Sequence, residues 1–158
     1  MRLPLKISIY TAIIFILKLL SFNNLIASEN ENTCTLTVQV SEFRSNDGNV
    51  RVHLYDIKNK KSFPTKTTKA NRRLISPISN HSSKVIFKDL PKSTYAFTVH
   101  HDENLNEKID RSIIGLPMEG WGTSNNVKPP MRIPNFEECS FELNGDKTVN
   151  VKVVYSLF

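Results

Sequence analysis

The chain has 158 residues, 39% hydrophobic, with a formal net charge of +6 and two cysteines. That length suits one domain with a real core. The charge says less about partners than its size suggests, because Arg2, Lys6 and Lys18 lie in the first 27 residues and carry half of it. The remaining cations include Lys58, Lys60, Lys61, Lys66, Lys69, Arg72 and Arg73, which crowd one polar stretch. No aromatic residues interleave with them as in a single-strand binder, so nucleic acid is excluded as the expected partner and the stretch reads as a solvated loop.

In chain order, Arg2 and Lys6 precede an apolar run at 7–17, and small residues Ala27 and Ser28 follow. This is the plan of a secretory signal. Lys18 interrupts the run well short of the ~20 apolar residues of a spanning helix. The reading is a signal peptide at 1–27, cleavage near Ala27, a single domain at 28–158, a periplasmic or secreted location and no membrane span afterwards.

From residue 34 the pattern is period two, the signature of half-buried strands. Residues 34–43 alternate apolar with polar, and Asn46-Asp47-Gly48 supplies a turn. Val50, Val52 and Leu54 then face inward, with Arg51, His53 and Tyr55 outward. Residues 58–83 form a long polar connection with one short helix or irregular strand. Strands follow at 84–88 and 94–101, the second carrying Tyr95, Phe97, Val99 and His101 on one face. A last hairpin is expected at 139–155 around Asn144-Gly145-Asp146. Each strand has one apolar face to bury, so the expected fold is all-β, an antiparallel β-sandwich of about seven strands. Cys34 shares parity with Leu36 and Val38, and Cys139 with Phe141 and Leu143. Both cysteines are therefore expected to face the core and to pair as a disulfide in an exported chain, the alternative being two buried thiols. Neither has a CxxC neighbour, which argues against redox catalysis.

Between the strand ending at His101 and the last hairpin lies the most informative stretch. Asp102, Asn104, Asn106 and Asp110 occupy positions 1, 3, 5 and 9 of a calcium-loop pattern, which also wants Gly at position 6 and a bidentate carboxylate at position 12. Glu107 and Ile113 stand at those two positions. The pattern is half kept, and weak or absent calcium binding is expected, with Glu119 the nearest substitute carboxylate. His53, His100, His101 and Asp102 are transition-metal ligand types, but adjacent histidines on a strand point to opposite faces, and His101 reads as a hydrogen-bonded residue that orients the loop. Further on, Trp121 stands between two glycines, ahead of Ser124, Asn125 and Asn126. An aromatic among amides stacks on a sugar or anchors a protein partner. The alternative is a Trp that caps the sandwich, with amides tying the loop to the sheet.

Residues 87–126 resemble a family of secreted bacterial proteins, domain of unknown function 2141. Phe87, Leu90-Pro91, Tyr95-Ala96, His101-Asp102-Glu103-Asn104, Asn106, Lys108 and Asp110 carry the resemblance, followed by Gly115, Pro117, Glu119-Gly120, Gly122 and Ser124-Asn125-Asn126. Residues 134–141 and Phe63-Pro64 fit as well. The resemblance implies export and an immunoglobulin-like or transthyretin-like sandwich, with no assigned activity. Leu105 and Glu107 stand where the family has Gly, which permits a positive φ.

No catalytic residue is assigned. A Ser124-His101-Asp102 set can be picked out, yet such a choice is free in any chain until geometry supports it. The expectation is a non-catalytic domain that binds an envelope protein or glycan through Trp121, Ser124, Asn125, Asn126, His101 and Glu119. A rigid or ion-stapled structural domain and a hydrolase are the alternatives.

Overall fold

The computed structural model describes residues 32–129 and 132–156. The signal read at 1–27 lies outside the described residues. The β-domain is the unit Thr33–Phe158. Its described strands are β1 (Thr33–Ser41), β2 (Asn49–Asp56), β3 (Arg72–Ser76), β4 (Ser82–Pro91), β5 (Ser93–Asp102), β6 (Trp121–Thr123), β7 (Phe141–Leu143) and β8 (Lys147–Lys152). One turn of helix, α1 (Phe136–Cys139), begins at an Asn135 cap whose side chain accepts from the Glu138 amide, while the Glu138 side chain returns to the Asn135 amide. That reciprocal capping box satisfies donors which a helix this short would otherwise leave open.

The strands form two sheets. The first runs β4-β1-β8, and the second runs β3-β2-β5-β6, with β7 also on β5. All described pairings are antiparallel except β1 with β8, which is parallel. The sandwich core is what period two dictates. Leu36, Val38, Val40, Val85 and Phe87 of the first sheet meet Val50, Val52, Leu54, Phe97 and Val99 of the second, all fully or nearly fully buried. Burying a side chain of this kind contributes about 1.5–3 kcal/mol before the entropy of ordering it is subtracted.

Two sequence expectations are corrected. Residues 139–155 are not a hairpin within one sheet. β7 pairs β5 while β8 pairs β1, so the 144–146 turn carries the chain from one sheet to the other. Both strands still bury an apolar face, from opposite sides of the same core, and Asp146 fixes β8 beside β1 by accepting the Thr35 amide at 2.7 Å.

The disulfide is also absent, and both cysteines are free thiols. Cys34 lies in the inter-sheet core with Leu36. Cys139 sits on α1, where the period is not two, and packs with Tyr55, Phe63, Ala96 and Phe136. Tyr55 and Ala96 belong to the opposite face of the second sheet from Leu54 and Phe97, as strand alternation requires. A sheet therefore separates the two sulfurs. Burial pushes the Cys139 thiol up from its ordinary value, which leaves it unreactive. Protein purified without reductant and then denatured should titrate with both thiols free, and reductant should leave the melting temperature unchanged. A reductant-dependent loss of stability would contradict this arrangement.

Candidate functional site

The register of the second sheet builds the site. His100 pairs with Arg51 on β2 and with Trp121 on β6, and Asp102 pairs with Asn49. Directly paired residues share a face, so Arg51, His100, Asp102 and Trp121 lie together on the outer face of this sheet, at the end where β5 leaves it. His53 is on the same face, paired with Arg73 and Thr98. His101 points the other way and closes the core.

Asp102 is wholly buried. Its Oδ2 accepts Arg51 Nε at 2.6 Å and the Glu107 amide at 3.1 Å, and its Oδ1 accepts the Asn106 amide at 3.0 Å. Glu119 is the second brace. One oxygen accepts the Glu103 amide at 3.0 Å, and the other accepts the Asp110 amide at 3.1 Å and His100 Nε2–H at 2.8 Å. Two buried carboxylates thus hold both ends of the 103–110 turn through charge-assisted bonds. Gly48 lets this end close: its φ is +66°, and a Cβ there would fall 1.9 Å from the Asp102 carbonyl oxygen. Only glycine fits such an approach.

The calcium pattern converges in part. Asp110 accepts Asn104 Nδ2 at 2.7 Å and Asn106 Nδ2 at 3.0 Å, while Asn106 Oδ1 accepts the Lys108 amide at 2.8 Å. Three of the four side chains therefore meet, but they bond one another in Asx-turn fashion. The fourth, Asp102, faces Arg51. Leu105 and Glu107 adopt φ of +63° and +68°, so the backbone keeps a conformation that Gly would take without strain.

Beyond Asp110 the chain forms a small hairpin. Ser112 and Met118 amides bond the Leu116 and Asp110 carbonyls at 2.9 and 2.8 Å, and Arg111 Nη1 bonds the Gly115 carbonyl at 2.8 Å. Its tip is apolar and open. Ile113 is fully exposed at 106% and Ile114 at 78%, and Leu116 and Met118 are also exposed. Sequence reasoning passed over this tip and over Arg51. The signal for the tip was four apolar residues among six in a loop that supplies no strand partner. Arg51 gave no local signal, since its carboxylate partner lies on another strand.

The remaining expected site residues are engaged by the fold. Trp121 is half-buried, and its backbone exchanges two bonds with Val154 at 2.9 and 2.8 Å, tying β6 to the chain just past β8. Ser124 is buried, accepts the Phe97 amide at 3.0 Å and donates to the Cys139 carbonyl at 2.6 Å. Asn125 Nδ2 donates to the Ser140 carbonyl at 2.9 Å. Asn126 pairs with the free edge of β8, donating to the Asn150 carbonyl at 3.3 Å and accepting the Lys152 amide at 2.8 Å. These three residues clamp β5, α1 and β8 together. They run back along β5 from Trp121, away from the acidic turn. His101 donates from Nε2 to the Asp47 carbonyl at 2.9 Å, and its Nδ1 meets the Tyr155 hydroxyl at 2.8 Å. Ser124 Oγ and His101 thus bond to different groups.

Comparison with curated proteins and with solved structures returns no match. A family model described as "Uncharacterized protein conserved in bacteria (DUF2141)" matches residues 38–152. That span covers β2 to β8 and the end of β1, together with the braced turn and the Ser124-Asn125-Asn126 clamp. The chain belongs to this family of uncharacterised bacterial proteins.

Proposed function

We propose that the protein is an exported, non-catalytic β-sandwich that docks on a cell-envelope partner through the end of the sandwich formed by residues 102–121. The observation that carries this reading is the exposed apolar hairpin tip at 113–118, held on a base of two buried carboxylates. Soluble domains seldom expose adjacent large aliphatic side chains without a use for them. A rigid base lowers the ordering cost of binding. The secretory pattern at 1–27 supports export. The internal bonding of Ser124 and His101 supports the non-catalytic part, since a nucleophile and its base need to be within reach of each other.

The test is recovery of bound components from an envelope extract, comparing wild type with Ile113→Ser/Ile114→Ser and with Trp121→Ala. The tip variant is expected to lose the captured component. Equal capture by all three proteins would sink the reading. A rigid structural domain would then be the better account, and the clamp at 124–126 is the observation that favours it.

The acidic turn is proposed to be braced by its own bonds and by Arg51 rather than by an ion. Millimolar calcium or a chelator should shift the melting temperature by less than about 1 °C, since stabilisation by a ligand requires that it bind the folded state. A shift of several degrees that is lost in Asp110→Ala would show a bound ion.

A further inference from the structure

We infer that the ordered basic stretch at 57–73 is a second binding surface, which takes an anionic polysaccharide; it goes beyond the docking proposed for residues 102–121. It lies at the other end of the sandwich. β2 pairs its Asn49 end with Asp102 and its Asp56 end with Tyr95, so the stretch that leaves β2 at Asp56 is opposite the acidic turn. All 15 Asp and Glu of the chain lie outside 57–88, a span that carries nine Lys and Arg. Lys58, Lys61, Lys66, Lys69, Arg72 and Arg73 are exposed, and none of them makes an ion pair among the described residues.

The neighbouring acids do not cancel this charge. Asp56 accepts the Asn59 amide at 3.0 Å and Asn71 Nδ2 at 2.8 Å, Glu137 takes Lys60 at 2.9 Å, and Glu138 takes Arg132. At the same end of the sandwich Asp89, Glu142 and Asp146 are matched in number by Lys88, Lys92 and Lys147. With every carboxylate of this end counted, the cations remain in excess. The backbone also holds them close. Lys58 and Lys61 stand three apart in the 3₁₀ helix Ile57–Ser62, where side chains at that spacing eclipse. The next turn, Thr67–Lys69, closes between two further lysines, the Lys69 amide donating to the Lys66 carbonyl at 2.9 Å. Like charges so placed repel, and a polyanion laid across them relieves the repulsion.

The surface is fixed from below. Phe63 packs edge-on against Tyr55 and Phe136, with ring centroids 5.4 and 5.9 Å away. Asn71 closes the far end, its side chain accepting the Asp56 amide at 2.8 Å and its own amide donating to the Leu54 carbonyl at 2.8 Å. An ordered base lowers the cost of binding. The same packing selects among polyanions. Tyr55, Phe63 and Phe136 are all buried, which leaves no ring here on which a nucleobase stacks. Between the cations stand Asn59, Thr65, Thr67 and Thr68, exposed or half-exposed, and these groups bond sugar hydroxyls rather than acyl chains. Lysine acts as a point charge without the planar demand of a guanidinium, so carboxylate, sulfate and phosphate on the polysaccharide all serve.

The experiment is a binding titration in low salt. The full chain is expressed, the processed protein purified, and its N-terminus read by mass spectrometry so that a retained leader is recognised. Probes are polygalacturonate, dextran sulfate, neutral dextran, a single-stranded DNA oligomer and vesicles with a third phosphatidylglycerol. Wild type is expected to bind both charged polysaccharides and not neutral dextran, with an affinity that falls steeply as salt is added. Lys58→Gln/Lys61→Gln/Lys66→Gln/Lys69→Gln should weaken binding about tenfold or more, with an unchanged melting temperature because none of the four is paired. Lys84→Gln/Lys108→Gln/Lys128→Gln/Lys152→Gln removes the same charge elsewhere and should cost less than about threefold. Absence of binding to either charged polysaccharide, or equal losses in the two variants, overturns the inference. Tighter binding to the DNA or to the vesicles than to the polysaccharides would give the surface to nucleic acid or lipid and overturn it also. Ile113→Ser/Ile114→Ser should bind the polysaccharides as wild type does; a loss there would move the site to the hairpin tip and overturn the inference. The extract assay reports on docking through that tip alone, so either reading can fail while the other stands.

Discussion

Arg51→Ala should be the most damaging single substitution at this end of the molecule, at a cost of about 3–5 kcal/mol. The reason is Asp102. It has no exposed surface, and Arg51, itself 13% exposed, is the cation beside it at 2.6 Å. Without the guanidinium the carboxylate keeps two backbone amides and loses its charge partner. A buried charge left in this way is far costlier than the net value of the pair suggests. The other ion pair of Arg51, with the exposed Glu107, contributes little. In a domain of this size the melting temperature should fall by about 10 °C or more. Asp102→Asn added to Arg51→Ala should recover part of the loss, because it removes the stranded charge. A cost below about 1 kcal/mol for Arg51→Ala would show that Asp102 does not depend on it.

Stability should also fall as the medium is acidified from neutrality, and His53 is the expected source. It is 9% exposed on the outer face of the second sheet. Burial, with His100, Arg51 and Arg73 nearby, lowers its pKa from 6.5 to about 4. The unfolded chain therefore takes up the proton first. The contribution of neutral His53 is complete above about pH 6.5 and is lost as pH falls through the window down to about 4. The shift corresponds to about 3 kcal/mol in all. Urea denaturation at a series of pH values measures it. His53→Gln should flatten the difference between pH 7 and pH 4 by most of that amount, leaving the slope that carboxylate protonation adds at the acid end. An unchanged pH dependence in the variant would assign the effect elsewhere.

The architecture was legible because strand alternation is a local property. Val50, Val52 and Leu54 against Arg51, His53 and Tyr55 state both faces of β2 without reference to any other strand. Which face is solvent was less legible. Tyr55 was read as outward, and it is, yet it is wholly buried beneath Phe63 and Phe136. A second layer on a sheet leaves no periodic mark on the strand it covers. The same gap produced the disulfide expectation, since parity cannot tell one side of a sheet from the other when the second cysteine lies on a helix. At the site, sequence pattern located the 102–126 stretch but not the division of labour within it. Polar residues such as Ser124, Asn126 and Glu119 look like ligand contacts in a string of letters. Their partners turn out to be backbone groups 9 to 27 residues away. The apolar tip was visible but had no rule attached to it.

The parallel pairing of β1 with β8 has a consequence for when this chain can become a domain. β1 is the middle strand of its sheet, and its second edge is paired only when β8 lies beside it. The first strand made thus waits for the last. Such pairings give a high contact order, and loop closure over most of the chain must precede the contacts that repay it, so folding is slow. Until β8 arrives the first sheet is only the β1–β4 pair, although every strand of the second sheet has already been made.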